Sequence, residues 1–237
     1  MTKAMRLLMT FATCMSISAQ SNAQALGLTT PTLLEISSPL IYEALPVGAV
    51  VDLSAYTIKA IAPMSALVIV RSPATTPSNP GPQNMHVTIK LGMLNANGLA
   101  QNALYISETT DSIIDVLAAV GASSNCVWLD GGNFMTANNR IRIGAIYGCN
   151  GNALLLQTHT NDGTYNVQGN QIQVGQIFGN NGSGVVAWTG AFANSFTVGP
   201  IEHNVYFGCY DGSGGTGWFA NRWYVNGVNS NGMVHVC

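Results

Sequence analysis

Charge is what this chain has least of. Lys and Arg number 8, Asp and Glu 10, and together they are 8% of the 237 residues, against about a quarter in an ordinary soluble domain. The net charge of −2 gives no general attraction to nucleic acid. No two cysteines form a CxxC pair, which removes the usual frame of a structural zinc site. Past the first residues no apolar run is long enough to span a bilayer. Disorder is not expected either, because 47% of the residues are hydrophobic and supply surface to bury. Gly, at 26 residues, and Asn are frequent, and the composition fits a strand-rich exported or outer-surface protein.

The organising stretch is Asn139 to Gly148, NRIRIGAIYG, with near-copies at Asn170 (NQIQVGQIFG), Asn194 (NSFTVGPIEH) and Asn221 (NRWYVNGVNS). Apolar residues stand second and fourth after each Asn and alternate with polar ones, which is the period of a strand. Weaker copies are YTIKAI (Tyr56 to Ile61), VTIKLGML (Val87 to Leu94) and SIIDVL (Ser112 to Leu117). Counting from Ile58, the equivalent apolar places are Ile89, Ile114, Ile141, Ile172, Phe196 and Trp223, roughly 24 to 31 residues apart, a spacing expected of a solenoid. A second, wholly apolar strand falls between copies: ALVIV (Ala66 to Val70), ALYI (Ala103 to Ile106), CVWL (Cys126 to Leu129), ALLL (Ala153 to Leu156) and GVVAW (Gly184 to Trp188). Two alternating strand types predict a coiled solenoid of roughly seven coils. The leading Asn is read as a turn residue that tolerates the left-handed conformation and stacks on its equivalents from coil to coil.

These coils, with the opening YEALPVGAVVDLSAYTIKA (Tyr42 to Ala60), resemble the pectin-lyase-like parallel β-helix proteins, which include polysaccharide lyases, glycosidases, epimerases and phage tailspikes. The resemblance runs from about Leu40 onward. It implies an all-β fold, a right-handed single-stranded parallel β-helix, and it implies a polysaccharide partner. The tailspike members supply the precedent for a homotrimer. Activity does not follow from the scaffold alone. The polygalacturonase set of NTD, paired Asp, GHG and RIK is missing, as is a vWiDH motif. RIRIG at Arg140 belongs to the repeat.

Residues 1–25 read as a secretory signal: Lys3 and Arg6, an apolar Leu7 to Ile17, then Ala23-Gln24-Ala25, in the order of a cleavable leader. The expected location is secreted, extracellular or periplasmic. A lipid-modified Cys14 competes poorly, since FATC is a weak lipobox. Residues 26–40 read as a linker or an N-terminal cap, and 41–237 as the β-helix. Pro73 to Pro82 and Gly208 to Gly217 are excursion loops. Cys126, Cys149, Cys209 and Cys237 permit disulfides without fixing a pairing, and buried small hydrophobes are the simpler reading. Val234 to Cys237 is apolar, so a neighbouring subunit covers it or the sequence continues.

Lys59, Lys90, Arg140, Arg142 and Arg222 all neighbour inward apolar residues, so stacking predicts them on one outward face. Asp115, Gln171, Gln173, Ser195, Thr197 and Tyr224 complete that face. The expectation is a net-basic strip suited to an acidic polysaccharide, because Arg takes a carboxylate through two parallel bonds. Lys59, Lys90, Arg140, Arg142, Arg222 and Tyr224 are the substrate-binding candidates. The plainer reading of the strip is a solvated sheet face.

On the second sheet, parity places Val68, Tyr105, Trp128, Leu155 and Val186 outward as a packing or subunit surface, with Tyr105 and Trp128 as alternative sugar platforms. Asp115, Arg142 and Asp162 are the catalytic candidates, and Asp111, Asp130, Glu202 and Asp211 the further acids. If the chain were a lyase, Arg142 would assist proton abstraction and Asp115 would hold Ca²⁺. No metal site is assigned otherwise. Two functions compete: an exported enzyme, lyase or glycosidase, that depolymerises an acidic polysaccharide, and a non-catalytic glycan-binding or structural surface module. Convergent acids in a groove would favour the first, a flat strip without them the second.

Overall fold

A computed structural model describes residues 31–72, 84–132, 134–158, 166–214, 217 and 220–233. The chain is a parallel β-solenoid of about 6 turns. The middle turns each lay one strand in each of three sheets, which hold 10, 7 and 5 strands. A representative turn runs from Arg140–Tyr147 in sheet 1, through Leu154–Leu156 in sheet 2, to Val167–Gln168 in sheet 3. Every neighbour in every sheet is parallel.

Period-two alternation puts one face of each strand inside. Ile141, Ile143 and Ile146 of sheet 1, Leu154 and Leu156 of sheet 2 and Val167 of sheet 3 are all buried in one continuous core. Parallel pairing stacks like on like. One inward column reads Val51, Ile89, Ile114, Ile141, Ile172, Phe196 and Trp223, and its last two rings stack at 3.9 Å. Ile58 does not begin this column. It pairs with Leu94 and stands two inward columns further on, because Val50–Ala60 is one 11-residue strand whose earlier residue Val51 takes the place opposite Ile89.

Two constraints hold the coils in register. Between sheets 3 and 1, Asn139, Asn170 and Asn194 are fully buried. Each donates one Nδ2 proton to the next Asn Oδ1, at 3.0, 3.0 and 3.1 Å, ending on Asn221. The other proton goes to a sheet 3 carbonyl, so no amide group is left to carry the cost of an unpaired buried polar atom. The left-handed residue of this turn is the one before the Asn: Asn138, Gly169 and Ala193 have φ of 58°, 66° and 51°. The Asn is therefore the ladder rung and its predecessor bears the turn. The second constraint is a disulfide, Cys126–Cys149, joining adjacent coils across a separation of 23 residues. Both cysteines are also buried, so the small-hydrophobe reading described their burial and missed their bond.

Residues 32–36 form a strand paired with Tyr56 to Ala60, and Leu40–Glu43 begins sheet 2. The expected leader, Cys14, the Pro73 to Pro82 stretch, Asp162 and Val234 to Cys237 lie outside the described residues. No helix among the described residues is long and apolar enough to cross a membrane.

Candidate functional site

Sheet 1 is creased along its length. After the inward Leu91, Val116, Ile143, Val174 and Val198 come Gly92, Leu117, Gly144, Gly175 and Gly199. At this place successive coils approach closely: a Cβ on Gly144 would strike the Leu117 carbonyl oxygen, and one on Gly175 that of Gly144. The crease makes a shallow groove on the outward face. Two hollows of about 620 and 550 Å³ share Gln173 and Gly175, the first lined by Lys90, Asp115 and Arg142 and the second by Thr197 and Tyr224.

The outward column along this groove reads Asp52, Lys90, Asp115, Arg142, Gln173, Thr197 and Tyr224. It begins as an alternation of charge. Lys90 Nζ lies 3.8 Å from Asp52, and Arg142 grips Asp115 through Nε at 2.7 Å and an Nη at 3.0 Å. Ser54 donates to Asp52 from its hydroxyl and its backbone and, with Lys90, holds that carboxyl below its ordinary value. Four charges in this column thus compensate one another, so the positive charge expected of the face is reduced along this column. The same holds for Lys59, which stands in a different column and pairs with Glu35 at 3.1 Å.

Arg140 and Arg222 are the cations left over. Both are exposed, in the adjacent outward column with Gln171 and Ser195 between them, and neither has an acidic partner among the described residues. Tyr224 is 65% exposed at the far end of the groove. The structure thus brings Lys90, Asp115, Arg142 and Tyr224 to one groove, sets Arg140 and Arg222 beside it, and leaves Lys59 apart.

Asp115 is flanked by two bases and both its oxygens accept from Arg142. Asp52 stands two strands away with Lys90 between, so acids do not converge in the groove. This donor set does not fit Ca²⁺, which takes about six to eight oxygen ligands, and no group of three His, Cys, Asp or Glu occurs among the described residues. The other acids have structural duties. Asp130 is fully buried, accepting from the Tyr105 hydroxyl at 2.6 Å and from the Gly132 backbone. Burial first, and then the Asp130 carboxylate, push the Tyr105 hydroxyl above its ordinary value. Asp111 takes a left-handed turn at φ 51°, and Glu202 accepts from Asn229.

On sheet 2 the outward column is Ile41, Ile69, Tyr105, Trp128, Leu155, Val186 and Tyr210. Ile69 holds the place expected for Val68, which is fully buried. Tyr105 and Trp128 meet edge to face at 74°, and the indole donates to the Gln157 carbonyl, so they present no flat platform. An aromatic cluster lies further along, where exposed Trp188 meets half-buried Phe207 and Tyr210. Sequence reasoning missed this cluster, although Trp188 ends the quoted strand GVVAW and Tyr210 lies in the quoted loop.

Fold and groove together define a parallel β-solenoid with a polar, creased outer face. No protein-family model, curated protein or solved structure matches the chain.

Proposed function

We propose that this chain is an exported, non-catalytic glycan-binding β-solenoid of the pectin-lyase-like kind, and that it holds an extended acidic polysaccharide in the sheet 1 groove. The carrying observation is the continuity of that groove from Lys90 to Tyr224. Its coils repeat at about 4.8 Å, close to the advance of a sugar residue in an extended chain, so successive sugars meet successive rungs. Arg140 and Arg222 give it uncompensated positive charge that suits carboxylates, and exposed Tyr224 offers a ring face. The disulfide supports export, since such bonds persist in oxidising compartments, as does the leader-like start. Binding by several copies, as in a homotrimer, would strengthen retention on a polymer.

The test is titration with polygalacturonate, alginate and a neutral glucan at two salt concentrations. The expected result is salt-sensitive binding to an acidic polymer, weakened in an Arg140→Ala/Arg222→Ala double variant. Binding to the acidic polymers that is insensitive to salt and undiminished in the double variant, or no binding to any acidic polymer, would overturn it. A depolymerase is the second reading, kept because Asp115 and Arg142 do line the groove. Appearance of unsaturated uronate ends, lost in Asp115→Ala, would replace the first reading with this one.

A further inference from the structure

A third hollow, of about 500 Å³, lies on sheet 2, on a different sheet from the groove. Three outward columns build it. The floor is Leu155 and Val186, continued by Tyr210. One wall is the column Asn125, Asn152, Ser183 and Phe207, and the other is Gln157 beside Trp188. Trp188 stacks on Tyr210 at 5.1 Å and 29°, and Phe207 on Tyr210 at 5.3 Å and 25°. Gly212 makes room for this arrangement: a Cβ there would press on Tyr210 at 2.6 Å and on the Trp188 ring at 3.0 Å.

The polar wall is only partly used. Asn125 Oδ1 accepts from the Asn152 backbone and Nδ2, and Asn152 Oδ1 accepts from the Ser183 backbone. Asn125 Nδ2 and the Gln157 side-chain amide have no partner among the described residues. Trp188 remains 40% exposed. Among the described residues the lining carries no charged side chain, whereas the sheet 1 groove is lined by ions.

We propose that this hollow is a second glycan site, taking a neutral pyranose against Trp188 with its hydroxyls on Gln157 and Asn125. A pyranose has an apolar face and a hydroxyl rim, and the hollow pairs a ring platform with neutral amide donors and acceptors in that arrangement. An acidic sugar would find no cation here, and a purely apolar ligand would leave the amides buried and unpaired. The site stands independently of the sheet 1 groove.

The experiment titrates the full chain with cellohexaose, mannohexaose and N-acetylchitohexaose, following tryptophan fluorescence and calorimetry, with sedimentation at matched concentration. At least one oligosaccharide is expected to bind. Trp188→Ala should raise its Kd about tenfold, Trp188→Phe should raise it less, and Gln157→Ala, beside Trp188, should weaken it without removing an aromatic ring. The Arg140→Ala/Arg222→Ala variant should bind these neutral sugars unchanged, which separates this site from the groove. Absence of binding to all three, or binding indifferent to both Trp188→Ala and Gln157→Ala, would overturn the proposal. So would self-association abolished by Trp188→Ala, which would make the hollow a contact between copies.

Discussion

Sheets 1 and 2 are wound from the same coils, stacked by the same parallel register, and packed on the same interior, yet their outer faces have opposite chemistry. Sheet 1 turns Lys90, Asp115, Arg142, Gln173 and Thr197 outward. Sheet 2 turns Ile69, Trp128, Leu155 and Val186 outward, and three of those four side chains are nearly buried, at 7%, 8% and 8% exposure for Ile69, Leu155 and Val186. An outward position in a solenoid is therefore not a solvent position by default. The sheet 1 face can exchange polar groups freely, whereas the outward side chains of Ile69, Leu155 and Val186 on sheet 2 are nearly buried.

The sharpest way to break this contrast is to put a charge on each face. Val186→Asp on sheet 2 should cost about 3 kcal/mol or more, since a nearly buried carboxylate has no cation beside it, whereas Thr197→Asp on sheet 1 should stay within about 0.5 kcal/mol. Chemical denaturation of the two variants checks the difference, and equal costs would remove the distinction.

What the two sheets share should matter nearly as much. Removing Cys126–Cys149 opens a loop of 23 residues and should cost about 3 kcal/mol, read as a lower melting temperature of Cys126→Ala/Cys149→Ala than of the parent without reductant. Asn170→Ala should cost about 2 kcal/mol, because it leaves the Asn139 amide without an acceptor in a buried place.

Smaller again is an acid effect at the last coil. Burial raises the Asp211 carboxyl, but hydrogen bonds from Ser213, Trp223 and Asn221 outweigh it and hold the group below its ordinary value. A depressed folded value means that Asp211 adds stability above the unfolded value and loses it as pH falls through the folded one. The parent should accordingly lead Asp211→Asn in melting temperature at neutral pH, and the lead should shrink below about pH 4. The smallest effect belongs to Arg142→Ala. Its pair with Asp115 is partly exposed, and such pairs contribute at most about 1 kcal/mol.

Much of this architecture was legible because its code is local. The polar and apolar alternation of Arg140 to Ile143 is visible within one coil, and the four leading Asn residues announce their own stacking. The charge balance was not local. Asp52 and Glu35 neutralise Lys90 and Lys59 from strands whose sequences depart from the repeat, so counting the cations of the repeat alone overstated the strip. The unusual length of Val50–Ala60 placed Ile58 and Lys59 opposite Leu94 and Asn95 instead of Ile89 and Lys90. Trp188, Phe207 and Tyr210 meet only because two coils stack, and the pairing of Cys126 with Cys149 depends on the same stacking. Neither can be read along one strand.

The asparagine ladder also gives the solenoid a direction. Every rung donates toward the C-terminal side and accepts from the N-terminal side, and a parallel series, Asn180 to Asn204 to Asn231, runs the same way. Aligned amides add their dipoles as helix peptides do, so the buried rail is electrically polar, positive toward the later coils. There the Asn221 amide meets the carboxylate of Asp211 at 3.1 Å. Turning any one amide over would oppose two neighbours at once, which makes the orientation of the whole rail a collective property rather than a choice made rung by rung.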